Sequence, residues 1–187
     1  MEELEELKAR LSGDRPAEWD ALPDINLYMD QLISYMPRQL IHYGEGELLT
    51  SAMVNNYIKD GLLPRAEGKR YNQSHLAYLT AICVLKQVLC VRETKLLIAA
   101  GTEHRPEETR QLYEYFRGEL DEALSDTAQG LDAGSTPEDL PHLALHLALR
   151  SYADRLACQR VLDILARHRP EPEKTERKKE KAPRERD

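Results

Sequence analysis

The stretch Leu49–Tyr71, read L-T-S-A-M-V-N-N-Y-I-K-D-G-L-L-P-R-A-E-G-K-R-Y, constrains this chain more than any other. Thr50 or Ser51 can cap a helix that begins at once. Gly61 can end it in a left-handed C-cap with Leu62 folded back on the last turn. Pro64 then forbids continuation. A helix of about ten residues is too short to stand alone in water, so neighbours must hold it. Met53, Val54, Tyr57 and Ile58 supply the stripe to be buried. Ser51, Asn55 and Lys59 recur at i, i+4 and i+8 on another side, with Ala52 and Asn56 beside them. That side carries no carboxylate until Asp60. Arg65, Lys69 and Arg70 follow, and two short strands around a Gly68 turn fit the length. A helix over 50–60 followed by a basic wing over 64–71 is the layout of a DNA-reading element.

Charge is segregated around it. The 187 residues carry a net charge of −7. From Thr50 to Ala100, however, seven Lys/Arg face three Asp/Glu, a local balance of +4. General attraction to nucleic acid is excluded, and any anion contact must be local. Asn side chains can pair with adenine edges, and Lys or Arg can hold phosphate or guanine. Ser51, Asn55, Asn56 and Lys59 are therefore the candidates for the major groove. Arg65, Lys69 and Arg70 are the candidates for phosphates.

The remainder reads as helices. Leu dominates the apolar residues, with one Trp and one Phe, which favours helix over sheet. Leu4, Leu7 and Leu11 mark a surface helix, and Trp19 anchors the loop after it. A helix over 27–40, capped by Asp24 or Asn26, buries Leu27, Tyr28, Leu32 and Met36, and Pro37 kinks or ends it. Asn72 or Ser74 caps a central core helix over 75–89, and a short helix over 92–100 stops at Gly101. Pro106 opens a helix carrying Leu112, Phe116, Leu120 and Leu124, followed by a flexible connection over 125–136. A helix from Pro137 to about His168 has more apolar positions than one stripe needs. It must lie under others or at a subunit interface. The Pro, Glu, Lys and Arg tail over 170–187 has the composition of a disordered segment.

Catalytic constellations are missing from the pattern. There is no G-x-S-x-G and no Walker loop. His142 and His146 share a helix face, but Leu143 stands where H-E-x-x-H needs its general base. No metal, cofactor or catalytic residue is assigned, and the chain reads as a binding protein and not an enzyme. Cys83, Cys90 and Cys158 form no metal-type pair, Glu2, Glu3, Glu5 and Glu6 are the reverse of a signal peptide, and no apolar run approaches a membrane span. These features predict a cytoplasmic protein.

Thr50 to Gly101 resembles the winged helix-turn-helix of MerR-type transcription regulators. Val54, Tyr57, Gly61, Leu62, Leu63 and Pro64 match the recognition helix and its exit, and Lys69, Arg70 and Tyr71 match the wing. L-P-D-I-N-L-Y-M-D-Q with N-N-Y-I-K-D-G-L-L-P and K-R-Y-N is similar to an uncharacterised bacterial family of unknown function built on that fold. Asn55 and Asn56 stand where MerR proteins place Arg and Tyr. The resemblance implies an all-α chain with a small two-stranded β wing. Its parts are an N-terminal helix and loop over 1–21, a winged-helix domain over 22–101, a C-terminal helical region over 102–169 for packing or dimerisation, and the tail. It implies sequence-specific binding of double-stranded DNA by a homodimer in transcription control. Two alternatives stay open: a protein-interaction adaptor on the same scaffold, and a small-ligand sensor with a pocket between the C-terminal helices.

Overall fold

α3, Ser51–Lys59, is held on one face by Val54 and Tyr57, which are 0% and 7% exposed. The computed structural model describes residues 2–39, 49–101, 106–132 and 134–168. The helices before α3 are α1, Glu2–Gly13, and α2, Met29–Tyr35; those after it are α4, Gln73–Leu85, α5, Val91–Gly101, α6, Pro106–Gln129, and α7, Leu140–His168. The segment 42–47, whose Gly44 and Gly46 predict a loop, and the charged tail over 170–187 lie outside the described residues. Among the described residues no helix is long and apolar enough to cross a membrane.

α3 begins and ends as its sequence dictates. The Thr50 hydroxyl accepts the Met53 N–H at 3.2 Å. At the far end the Leu62 N–H reaches the Tyr57 carbonyl at 2.8 Å, and the Gly61 N–H reaches Ile58 at 3.1 Å. These two bonds form a Schellman motif. It needs a left-handed residue at Gly61, whose φ is +68°. Leu62 and Leu63 follow into the core, at 1% and 2% exposure.

α4 is the centre. His75 through Ile82 are buried in unbroken succession, so this helix is covered on every side. Its cap is Asn72, whose side chain accepts the His75 N–H at 3.3 Å. α2 is shorter than the periodicity predicts. Its first turn is fastened by Gln31, which accepts the Tyr28 N–H at 2.9 Å, and not by Asp24 or Asn26. At Met36 it tightens into a 3-10 turn through Pro37.

The predicted β wing does not exist. Among the described residues there is no strand, only isolated bridges pairing Glu67 with Arg70 and Leu27 with Tyr71. Gly68 and Lys69 have φ of +56° and +64°, and the Arg70 N–H reaches the Glu67 carbonyl at 2.9 Å. This is a two-residue turn of the type that closes hairpins. The hairpin goes no further because its arms are committed elsewhere. Pro64 has no N–H to give. The next ladder bonds would join Arg65 to Asn72, but the Asn72 N–H goes to His75 Nδ1 at 3.2 Å and its carbonyl accepts from His75 and Leu76 at 3.0 and 3.3 Å. The fold is all-α with a tight basic turn.

α6 closes the same core from the other side of the chain. Tyr113 is 2% exposed, its hydroxyl donates to the Ala17 carbonyl at 2.8 Å, and burial pushes its pKa up to about 12. Trp19 meets the Tyr113 ring edge-on at 6.1 Å. α5 and α6 approach closely at Gly101, where a Cβ would stand 2.7 Å from Leu112 Cδ1. The segment after Leu124, expected to be a flexible connection, stays helical to Gln129. Arg15 pairs with Asp121 and donates to the Ser125 hydroxyl, while Ala128 and Leu131 are buried.

Gly61→Ala tests the helix stop. The new methyl would meet only Lys95 Nζ, at 3.4 Å, so the cost is backbone strain and not a clash. It should lose roughly 1–2 kcal/mol in urea unfolding. Gly61→Asn should lose less, because Asn tolerates the left-handed region.

Candidate nucleic-acid interface

The polar side of α3 is presented outward as its periodicity requires. Ser51, Asn55, Asn56 and Lys59 are all exposed, and so are Arg65, Lys69 and Arg70 in the segment that follows. Among the described residues no side-chain hydrogen bond ties Asn55, Asn56 or Lys59 to the protein. Their donors and acceptors are open to a partner. The chain reversal at Gly61–Leu63 connects the helix directly to the basic turn. The Tyr57 carbonyl accepts from both Leu62 and Leu63, at 2.8 and 3.1 Å.

Three residues outside the predicted set shape this surface. Tyr28, expected in the buried stripe of α2, is 49% exposed and lies just before the helix. Its hydroxyl accepts from Arg70 Nη2 at 3.0 Å, and the Arg70 guanidinium sits 5.0 Å from its ring centroid. Ring and hydroxyl together aim the Arg70 side chain. Lys95, on α5, donates from Nζ to the Asp60 carbonyl at 3.0 Å. It places a cation at the C-terminal, partially negative end of α3. Neither contact has a sequence signal, because the partners are 42 and 35 residues apart.

His75 is the third. It is 5% exposed beneath the turn. Its Nδ1 lies 2.7 Å from Asn72 Oδ1 and accepts the Asn72 N–H at 3.2 Å, while Nε2 lies 3.4 Å from the Arg65 carbonyl. The Tyr71 ring meets it edge-on at 5.4 Å. The ring thus joins the cap of α4 to the start of the basic turn. Burial lowers its pKa, against smaller opposing effects of the Arg65 carbonyl and the Glu67 charge.

Elsewhere the chemistry is sparse. Cys83 is half-buried, and burial pushes its thiol up to about 11, while Cys90 and Cys158 are exposed. Cys90 falls beyond α4, where its N–H donates to Glu93 Oε2 at 2.8 Å and begins α5. His142 and His146 are exposed, and among the described residues no group of three metal-ligating side chains forms. A cleft of about 510 Å³ lies between α6 and α7. Val88, Leu89, Ala123 and Leu147 line it together with the charged Arg150, Asp154 and Arg155.

A family model described as a domain of unknown function, DUF1836, matches residues 17–116, from the segment ahead of α2 into the first half of α6. No curated protein and no solved structure matches the chain.

The buried neutral His75 makes the turn sensitive to acid. Its folded-state pKa lies below the ordinary 6.5. Between those two values the unfolded chain binds a proton that the folded chain does not. Stability from this group is therefore complete above the unfolded pKa and is lost as pH falls through the folded one. The urea midpoint should drop between pH 7.5 and 5.5, and His75→Gln should drop less. An unchanged slope in the variant would remove His75 from this role.

Proposed function

The chain belongs to the DUF1836 family, and we propose that it is a regulator of transcription that binds double-stranded DNA through α3. The use of a short capped helix and a basic exit is MerR-like, with the tight turn at 67–70 in place of a wing. One observation carries the reading: Ser51, Asn55, Asn56 and Lys59 form an exposed polar face, opposite the face of α3 that Val54 and Tyr57 bury in the core. The core holds the helix rigid, so the polar face is organised before any partner arrives.

The roles follow from the chemistry. Asn55 and Asn56 offer paired donors and acceptors to adenine edges, and Lys59 reaches guanine or phosphate. Lys69 and Arg65 contact phosphates, and Arg70 does so from the direction that Tyr28 sets. Lys95 offsets the negative end of α3, which would otherwise repel the duplex. With a net charge of −7, the rest of the molecule opposes non-specific binding. Affinity should therefore rest on this one positive region and fall steeply with salt. In this reading the protein acts by binding.

The cleft between α6 and α7 favours a second reading, a sensor for a small molecule. Its volume lies within the range of small-molecule pockets, and its walls join apolar side chains to a few charged ones. The two readings are compatible, since the cleft is built from other elements than the α3 surface.

Selection of sites from random duplexes at two salt concentrations tests DNA reading. A motif should be enriched and survive the higher salt; enrichment of nothing would favour a protein partner for α3. Asn55→Ala should lose about 1–3 kcal/mol of discrimination at one base position. Lys69→Ala should weaken binding to all sequences alike and reduce the salt slope by about one unit. Full retention of binding and specificity by both variants would overturn the assignment.

A further inference from the structure

The cleft between α6 and α7 lies at the edge of the matched family region. Val88 and Leu89, between α4 and α5, belong to that region, whereas Ala123 and Leu147 lie beyond residue 116. These four side chains are its apolar part, and its charges come from α7 alone. Between Leu147 and Cys158, over about 16 Å of helix, α7 lines it with Arg150, Asp154 and Arg155. The three are not equivalent. Glu93 accepts the Cys90 N–H at 2.8 Å at the start of α5, and its carboxyl is held below the usual range by that bond first and by Arg155 to a smaller degree. Arg155 thus has a carboxylate within reach of its charge. Among the described residues no side-chain hydrogen bond or ion pair engages Arg150 or Asp154. They do not pair with each other, although they are four residues apart. A cation placed N-terminal to an anion is the weaker order at that spacing. The two stand about 40° apart around the helix and about 6 Å apart along it.

An occupant must answer one cation, one anion and an apolar part. A neutral apolar molecule would cover both charges without pairing them. A simple carboxylate would lie beside Asp154, and a simple amine beside Arg150. A zwitterion pairs both. We propose that the cleft binds an apolar amino acid or short peptide with free termini. Its carboxylate lies on Arg150, its ammonium on Asp154, and its side chains against Val88, Leu89, Ala123 and Leu147. The guanidinium fork suits a carboxylate, and both bonds are charge-assisted. This rests on the reading of the cleft as a small-molecule site and holds whether or not α3 reads DNA.

Cys158 gives the readout, because its exposed thiol lines the cleft while Cys90, also exposed, does not. The full chain is labelled with iodoacetamide and each thiol followed by peptide mass spectrometry. Leucyl-leucine should slow labelling at Cys158 and leave Cys90 unchanged. Acetyl-leucyl-leucine, which lacks the ammonium, and leucyl-leucine amide, which lacks the carboxylate, should each need about tenfold more for the same protection. Arg150→Gln should remove the preference for the free carboxylate, and Asp154→Asn the preference for the free amine. Helicity should be unchanged in both, because both side chains are exposed. Should either variant misfold, the blocked peptides on the unaltered chain make the same distinction. A lower protecting concentration for free leucine than for the dipeptide would assign the site to the amino acid, and the reverse to the peptide. Equal protection by a peptide blocked at both ends would overturn the ligand class and keep the cleft as a small-molecule site. Protection by none of these compounds would overturn both.

Discussion

A helix of nine residues cannot hold its own shape in water, and the arrangement of this protein follows from how α3 is held. Val54 and Tyr57 on its inner face reach the same core as α4, and the Gly61 stop sends Leu62 and Leu63 in after them. The polar outer face needs no structural work and remains open. α3 is fixed by apolar side chains, backbone bonds, the Thr50 hydroxyl and the Lys95 ammonium, and its exposed side carries mainly hydrogen-bonding and cationic groups.

The core that grips α3 does not end with the short helices. Tyr113 on α6 belongs to it, and the N-terminal segment is strapped across α6 through Ala17, Pro16 and Arg15. This explains why the family model runs on to residue 116 and does not stop at Gly101. The first half of α6 is part of the same packing unit. α7 differs from the other helices, since it gives one apolar side to the protein and leaves another in solvent.

Electrostatics divide the surface in the same way. Two cations of residues 50–100 are positioned around α3 by tertiary contacts. Arg70 is set by Tyr28, and Lys95 is brought from α5 to the last turn of α3. His75, buried and uncharged, ties the turn to α4 without adding charge to the interface.

Most of α3 was legible in the sequence because its determinants are local. A Thr cap, a Gly with positive φ, a Pro after it and the 3.6-residue period act within a few residues of one another. The same is true of the Asn72 cap and the uniformly apolar α4. The sequence also determined the outward direction of Asn55, Asn56 and Lys59, since the buried stripe leaves them no other side. Tertiary structure decided the rest. The wing failed because Asn72 spends on the first turn of α4 the backbone groups a longer hairpin needs, while the outer edge of Tyr71 is taken by distant Leu27. α6 outran its expected end because the side chain of Arg15 and the burial of Ala128 and Leu131 support its last turns. Tyr28 and Lys95 joined the interface through contacts that span tens of residues. Local hydrogen bonds and periodicity can be read along a chain; which distant backbone group or side chain takes a free partner is settled only when the core brings them together.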